Sequence, residues 1–370
     1  MSIDFSTAMR RATMATRAGN AADATRIIQE ALAGRPAGDG PAEARPRRPL
    51  RETVRALRRG RPSVELPRGR EISLPPLPDG AQFLTRSFAC AAGTRQYKLY
   101  VPASAAHGLG GLVVMLHGCT QTPEDFATDT NMNAVAEANR LLVAYPAQTR
   151  AHNAASCWNW FNPADQRRDA GEPAILAGLA RELAAKFDIP REKIFAAGLS
   201  AGGAMAAVLG ATYPDVFAAI GVHSGLPAGA ANDVISAFAA MRGDSGTTFA
   251  PMHTAEAGPG PRTIIFHGTA DRTVHAGNAE QLAAAARARA PSGASRSERG
   301  TAESGRAWTR TLIEDPQGTV AVELWMIEGA GHAWAGGHAG GSYTDPSGPD
   351  ASAEMVRFFL SPEPAMCVST

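Results

Sequence analysis

Cysteine is scarce in this chain: Cys90, Cys119, Cys157 and Cys367 are the 4 in 370 residues. Such a set is too small and too scattered for a disulfide framework. A bridge between Cys119 and Cys157 is open to the chain if both lie at one rim, but sequence does not establish it. No C-x-x-C or H-E-x-x-H string occurs, so no metal site is expected. A charge excess is missing too. With 36 basic against 35 acidic residues, nothing suggests a nucleic-acid partner, which would need a basic footprint. No apolar run approaches the roughly 20 residues of a transmembrane helix. The start, MSIDFSTAMRRATMATRAGN, lacks the apolar stretch of a secretory signal. The expected location is cytoplasmic.

What is present is an apolar fraction of 44%, ample for a core, in a chain long enough for one large α/β domain plus an appendage. Residues 1–80 read as the appendage, a helical extension and linker. Residues 4–33 have the pattern of a helical hairpin. Asn20 can cap the second helix, Gly34 can end it, and Ala24, Ile27, Ile28, Ala31 and Leu32 share one face. A Pro/Gly/Ala stretch follows at 34–49, then a short basic helix around 50–59, where Arg51, Arg55, Arg58 and Arg59 read as a solvated face. A packing or dimerisation role is expected here, the second of which would give a homo-oligomer through these helices. Docking on a lipid or polymer granule is the alternative.

From residue 81 strands alternate with helices, which predicts an α/β fold with a mostly parallel central sheet flanked by helices over 81–362, then a tail at 363–370. Strands are expected at Gln96 to Val101, Gly111 to Leu116, Leu141 to Tyr145, Lys193 to Ala197, Ala218 to His223, Thr263 to Phe266 and Val320 to Ile327. Helices are expected at Glu172 to Phe187, Ala201 to Thr212 and Ala351 to Leu360. Two stretches rich in Gly, Ala, Ser and Pro, 227–262 and 291–306, are expected to be loops without core packing.

Gly198-Leu199-Ser200-Ala201-Gly202 lies between a predicted strand and a predicted helix. In that context G-x-S-x-G describes a sharp turn that lifts a serine hydroxyl clear of the sheet as a nucleophile. Small flanking residues let the chain pass, and the helix N-terminus supplies positive potential where an oxyanion would form. A serine nucleophile needs a base. His332 follows the last strand in the loop Glu328-Gly-Ala-Gly-His-Ala-Trp and is the expected base, with His338 the alternative. His117 and His267 end strands and should satisfy backbone groups. His107, His152, His223 and His253 have no such placement. Asp271 follows the strand Thr263 to Phe266 and is the expected acid, holding the imidazole tautomer; Asp244 and Asp315 are rivals by residue type alone.

The oxyanion donors expected from this arrangement are the N–H of Ala201 and the N–H of Cys119, in the loop His117-Gly118-Cys119-Thr120-Gln121-Thr122. Trp158, Trp160 and Phe161 form a dense aromatic cluster suited to an acyl chain or sugar face, and core packing is the equal alternative. His275 and Trp334 are the remaining candidates for substrate contact.

Five separated motifs, HGCTQT, CWNWF, GLSAGG, HGTADRTV and GAGHAW, together resemble the poly(3-hydroxybutyrate) depolymerase-like esterases, a group of the α/β-hydrolase superfamily. The resemblance covers roughly 83–360. It implies a Ser-His-Asp esterase with Ser200, Asp271 and His332 as triad and Cys119 with Ala201 as oxyanion donors. It implies no cofactor, and substrates that are short hydroxyacyl esters or acyl groups on sugars. Many such esterases are secreted, and the expected cytoplasmic location departs from that pattern.

Overall fold

A computed structural model describes residues 76–243, 260–289 and 293–361. The helices expected within 1–80, the tail at 363–370, His253, Asp244 and Cys367 lie outside the described residues.

A hairpin opens the domain: β1 (Gln82–Cys90) pairs antiparallel with β2 (Gly93–Val101). Then come β3 (Gly111–Leu116), α1 (Pro123–Thr130), α2 (Met132–Asn139) and β4 (Leu141–Pro146). They are followed by α3 (Gly171–Lys186), β5 (Ile194–Leu199), α4 (Ala201–Thr212) and β6 (Ala219–His223). The later elements are α5 (Val234–Met241), β7 (Arg262–Gly268), α6 (Gly277–Ala288), β8 (Ser295–Thr301), β9 (Ala307–Glu314) and β10 (Val320–Ile327). Two short strands, β11 (Trp334–Ala335) and β12 (Thr344–Asp345), pair in the last loop before α7 (Ala351–Leu360).

Ten strands form one sheet in the order β1-β2-β4-β3-β5-β6-β7-β10-β9-β8. The six central ones run parallel, and an antiparallel pair closes each edge. Along β3, β4 and β5 every residue is buried, as it must be for parallel strands covered on both faces. Alternation then divides the side chains. Leu112, Val114 and Leu116 meet α3, α4 and α6 on one face, while Val113 and Met115 meet α1, α2 and α7 on the other. No described helix is long and apolar enough to cross a membrane.

Two expected loops are in fact structured. The stretch 227–262 holds α5, started by a capping box in which Asp233 accepts from the Ser236 N–H. Ala230, Ala231, Ala237 and Ala240 there are buried in the core; the Gly and Pro of the flanks mask the helix in the sequence. Within 291–306, β8 is a strand paired to β9. It is almost wholly exposed, so it carries no apolar alternation and takes its conformation from its partner.

Candidate active site

Ser200 sits between β5 and α4 with φ 58° and ψ −119°, a backbone region that costs a non-glycine residue of order 1–3 kcal/mol. The surroundings hold it there. Its N–H donates to the His223 carbonyl at 2.9 Å, and its own carbonyl accepts from the Ala204 N–H at 2.9 Å. The turn also needs bare neighbours. A Cβ on Gly202 would stand 2.0 Å from the Leu116 carbonyl oxygen, and one on Gly198 would stand 2.6 Å from the same atom. Only glycine lets the elbow pass this close to the end of β3. The serine itself remains partly exposed.

Asp271 lies just beyond β7. Its Oδ1 accepts the N–H groups of Thr273 at 2.8 Å and Val274 at 2.9 Å. Its Oδ2 is 2.7 Å from Nδ1 of His332. Burial works to raise the Asp271 carboxyl, but the hydrogen bond from His332, that ring's charge and the Val274 N–H outweigh it and hold the group below the usual carboxylate range. An ionised Oδ2 can only accept, so Nδ1 of His332 is the donor, and whenever the ring is neutral Nε2 carries the free lone pair.

The other histidines and acids have different duties. His338 is exposed, and its N–H donates to the Asp129 carbonyl. Oδ1 of Asp315 accepts from Gln317 and Thr319 in the β9–β10 turn. His117 accepts the Gln148 N–H on Nε2. Nε2 of His267 contacts the Val274 carbonyl at 2.9 Å, and burial lowers the pKa of both rings. His223 has a structural role that its sequence position does not announce. Its carbonyl takes the Ser200 N–H, and its Nε2 accepts the Ala335 N–H at 3.0 Å. It thereby links the serine turn to the segment just after His332. Burial, ahead of the neighbouring His267 and His332, lowers its pKa to about 3, so the ring stays neutral.

The loop after β3 faces the elbow: a Cβ on Gly118 would lie 3.7 Å from Cβ of Ser200. The Gly118 N–H donates to Gln121 Oε1, that of Thr120 to Ala155 and that of Gln121 to Gly118. Among the described residues the N–H groups of Cys119 and Ala201 find no acceptor in the chain. Cys119 is disulfide-bonded to Cys157, which ties this loop to the aromatic one.

That aromatic loop corrects one expectation. Trp158 is fully buried and donates from Nε1 to the His117 carbonyl. Trp160 is buried too, with Phe161 edge-on to it and only partly covered. The loop is pinned from below by Glu172, whose carboxylate accepts from Arg95, Gln148 and both nitrogens of Asn159. Trp334 is likewise no pocket wall. It is fully buried, stacks on His223 and donates to Ser352 Oγ. His275 is exposed and bonded through its N–H to the Met241 carbonyl, and among the described residues no hydrogen bond or ring contact joins it to Ser200 or His332.

Tyr343 was not expected at the site. It is 48% exposed, its φ is 57°, and its ring stands edge-on to His332 at 6.5 Å. The only sequence signal was a lone bulky residue in GGSYTDPSG.

A family model described as esterase PHB depolymerase matches residues 95–297. The chain belongs to this family. Poly(3-hydroxyalkanoate) depolymerase C of Paucimonas lemoignei is 34% identical over 199 residues, covering 52% of this chain and 48% of that protein. Acetylxylan esterase A of Talaromyces purpureogenus is 30% identical over 205 residues, 51% of each. The chain thus spans about half the length of the curated relatives it matches. Among solved structures, an acetyl xylan esterase from Aspergillus awamori superposes with a TM-score of 0.56 at 24% identity, over 68% of this chain and 93% of that one. The shared architecture is the α/β-hydrolase fold.

Proposed function

We propose that this esterase-family chain is a serine carboxylic ester hydrolase. Its substrates are short-chain or hydroxyacyl esters, such as oligomers of the polyhydroxybutyrate type. One observation carries the reading. The 2.7 Å contact between Asp271 and His332 Nδ1 leaves Nε2 as a base, on a loop that His223 ties to the strained Ser200 turn.

In this mechanism His332 takes the Ser200 proton as Oγ attacks the ester carbonyl. The N–H groups of Cys119 and Ala201 hold the resulting oxyanion, each such donor being worth about 3–4 kcal/mol in the transition state. The tetrahedral intermediate collapses, the alcohol leaves with the proton from His332, and water then cleaves the acyl-enzyme by the same route. No cofactor enters any step.

A second reading has its own support: relatives named acetylxylan esterase match at an identity close to that of the depolymerases. Under it the alcohol would be a sugar hydroxyl and the acyl group acetyl or feruloyl. Comparing kcat/KM on 3-hydroxybutyrate dimers and trimers, acetylated xylan oligomers and methyl ferulate separates the two. Preference for the hydroxybutyrate esters by tenfold or more supports the first reading; preference for a sugar ester replaces it with the second. Docking on granules rests on residues 1–80, of which 1–75 lie outside the described residues. Sedimentation of a chain lacking them tests it, and unchanged partitioning would remove it. The expected cytoplasmic location is set against the Cys119–Cys157 bridge, because reducing compartments keep thiols reduced. The redox state of both cysteines in freshly lysed cells decides that point.

A further inference from the structure

Gln121 is buried at the start of α1, and its two amide ends face different loops. Oε1 accepts the Gly118 N–H at 2.9 Å. Nε2 donates to Asp129 Oδ2 at 3.1 Å and to the Ser342 carbonyl at 3.3 Å. The Asp129 carboxylate and the Ser342 carbonyl are both acceptors, so the chemistry fixes which end of the amide points where. Asp129 grips the same distant loop by its backbone, its carbonyl accepting the His338 N–H at 2.8 Å. A Cβ on Gly341 would stand 2.4 Å from Asp129 Oδ1, so the two segments are in close contact.

The connections therefore run from one side of the site to the other. At one end Gly118 is held through its N–H, while the next N–H, that of Cys119, has no acceptor among the described residues. At the other end Ser342 precedes Tyr343, whose ring borders His332 and whose carbonyl accepts the Trp334 N–H at 2.7 Å. We propose that Gln121, oriented by Asp129, is a positioning residue that sets the oxyanion loop against the loop carrying His332 and Tyr343, so that oxyanion donor and base are held in one fixed relation. This rests on the esterase reading above.

Two properties follow. First, the glutamine acts on the transition state rather than on substrate binding, because the donor it aligns meets full negative charge only there. Second, its amide is the right group beside a buried carboxylate. A glutamate in its place would put two carboxylates together, and these accommodate each other only by sharing a proton. The charged and titratable groups facing Asp129 are Asp125 on its own helix and His338 on the opposite loop, with the Ser342 backbone also bonded to it; burial raises its carboxyl to about 6. A proton is therefore available to such a pair on the acid side of neutrality.

The test uses the full chain and p-nitrophenyl butyrate, with Gln121→Leu and Gln121→Glu beside wild type. Gln121→Leu keeps the bulk and removes all three bonds; kcat is expected to fall roughly tenfold or more with KM within about twofold, as misalignment of a catalytic group does. For Gln121→Glu the ratio of its kcat to that of wild type should rise as pH is lowered from about 8 to 6, as the shared proton rebuilds the bridge. Taking a ratio to wild type at each pH cancels the pH dependence that the two proteins share. If Gln121→Leu does not fold, the Gln121→Glu ratio decides. A kcat for Gln121→Leu within about twofold of wild type, or a ratio flat with pH, overturns the proposal and leaves the esterase reading standing. An inactive wild type would instead strike the esterase reading itself.

Discussion

Oδ2 of Asp271 and Nδ1 of His332 are 2.7 Å apart although 61 residues separate them in the chain. Strand pairing brings them together: β7 and β10 run parallel as neighbours, and each residue lies in the loop just beyond its strand. Asp271 is buried while the His332 side chain keeps 12% exposure, the asymmetry that the proposed base needs if it is to meet substrate.

Replacing Asp271 by Asn should therefore preserve the shape and lose the chemistry. The amide can donate to Nδ1 and so favour the wrong tautomer, and kcat is expected to fall roughly 10³–10⁴-fold with little change in KM. Steady-state kinetics on p-nitrophenyl butyrate check it. A loss under tenfold would assign the acid's role elsewhere.

The Cys119–Cys157 bridge closes a 38-residue separation, for which the chain-entropy account gives about 4 kcal/mol of stabilisation. It also anchors the loop whose Gly118 lies against the Ser200 turn. Double replacement by alanine should lower both Tm and kcat. Reduction of the wild-type protein should do the same, reversibly on reoxidation. An unchanged kcat after verified reduction would show that the proposed oxyanion loop keeps its place without the bridge.

Tyr343 is the exposed aromatic nearest His332 in the last loop, and its left-handed backbone is held by the Trp334 N–H on its carbonyl. Tyr343→Ala should raise KM for longer acyl esters more than for acetate, since an aromatic face contributes through buried apolar area. A homologous series of p-nitrophenyl esters reads this out. Equal effects across the series would mean the ring does not touch the acyl chain.

Asp129 supplies a pH test of stability. Burial, opposed by bonds from the Ser342 backbone and Gln121, raises its carboxyl to about 6 in the folded protein. An acid raised on folding favours the protonated form there. Its contribution to stability is full below the unfolded value near 3.8 and is lost as pH rises through about 6. The Tm of Asp129→Asn relative to wild type should accordingly improve as pH rises from about 4.5 to 8. A difference constant with pH would place the titration elsewhere.

Much of the sheet was legible in the sequence, and the reasons are local. Gly111–Leu116, Ala201–Thr212, Val320–Ile327 and Ala351–Leu360 appear with the bounds their apolar runs and helical spacing predict. β8 was hidden because an exposed edge strand has no buried face to leave a period in its residues. The same division holds at the site. Ser200, Asp271 and His332 could be proposed because each follows a readable strand. The burial of Trp334 depends on Ser352 and on the His223 ring, 18 residues later and 111 earlier in sequence, which no local pattern encodes. Tyr343 and Gln121 escaped for a similar reason: what distinguishes them is a partner brought from another loop.

The most direct measurement is hydrolysis of p-nitrophenyl butyrate by wild type and Ser200→Ala side by side, with folding of both confirmed by circular dichroism. The account predicts turnover by wild type and a residual rate in the variant lower by roughly 10³-fold or more. Equal activity in the two proteins would contradict it, and Ser200, Asp271 and His332 would all lose the roles given to them here.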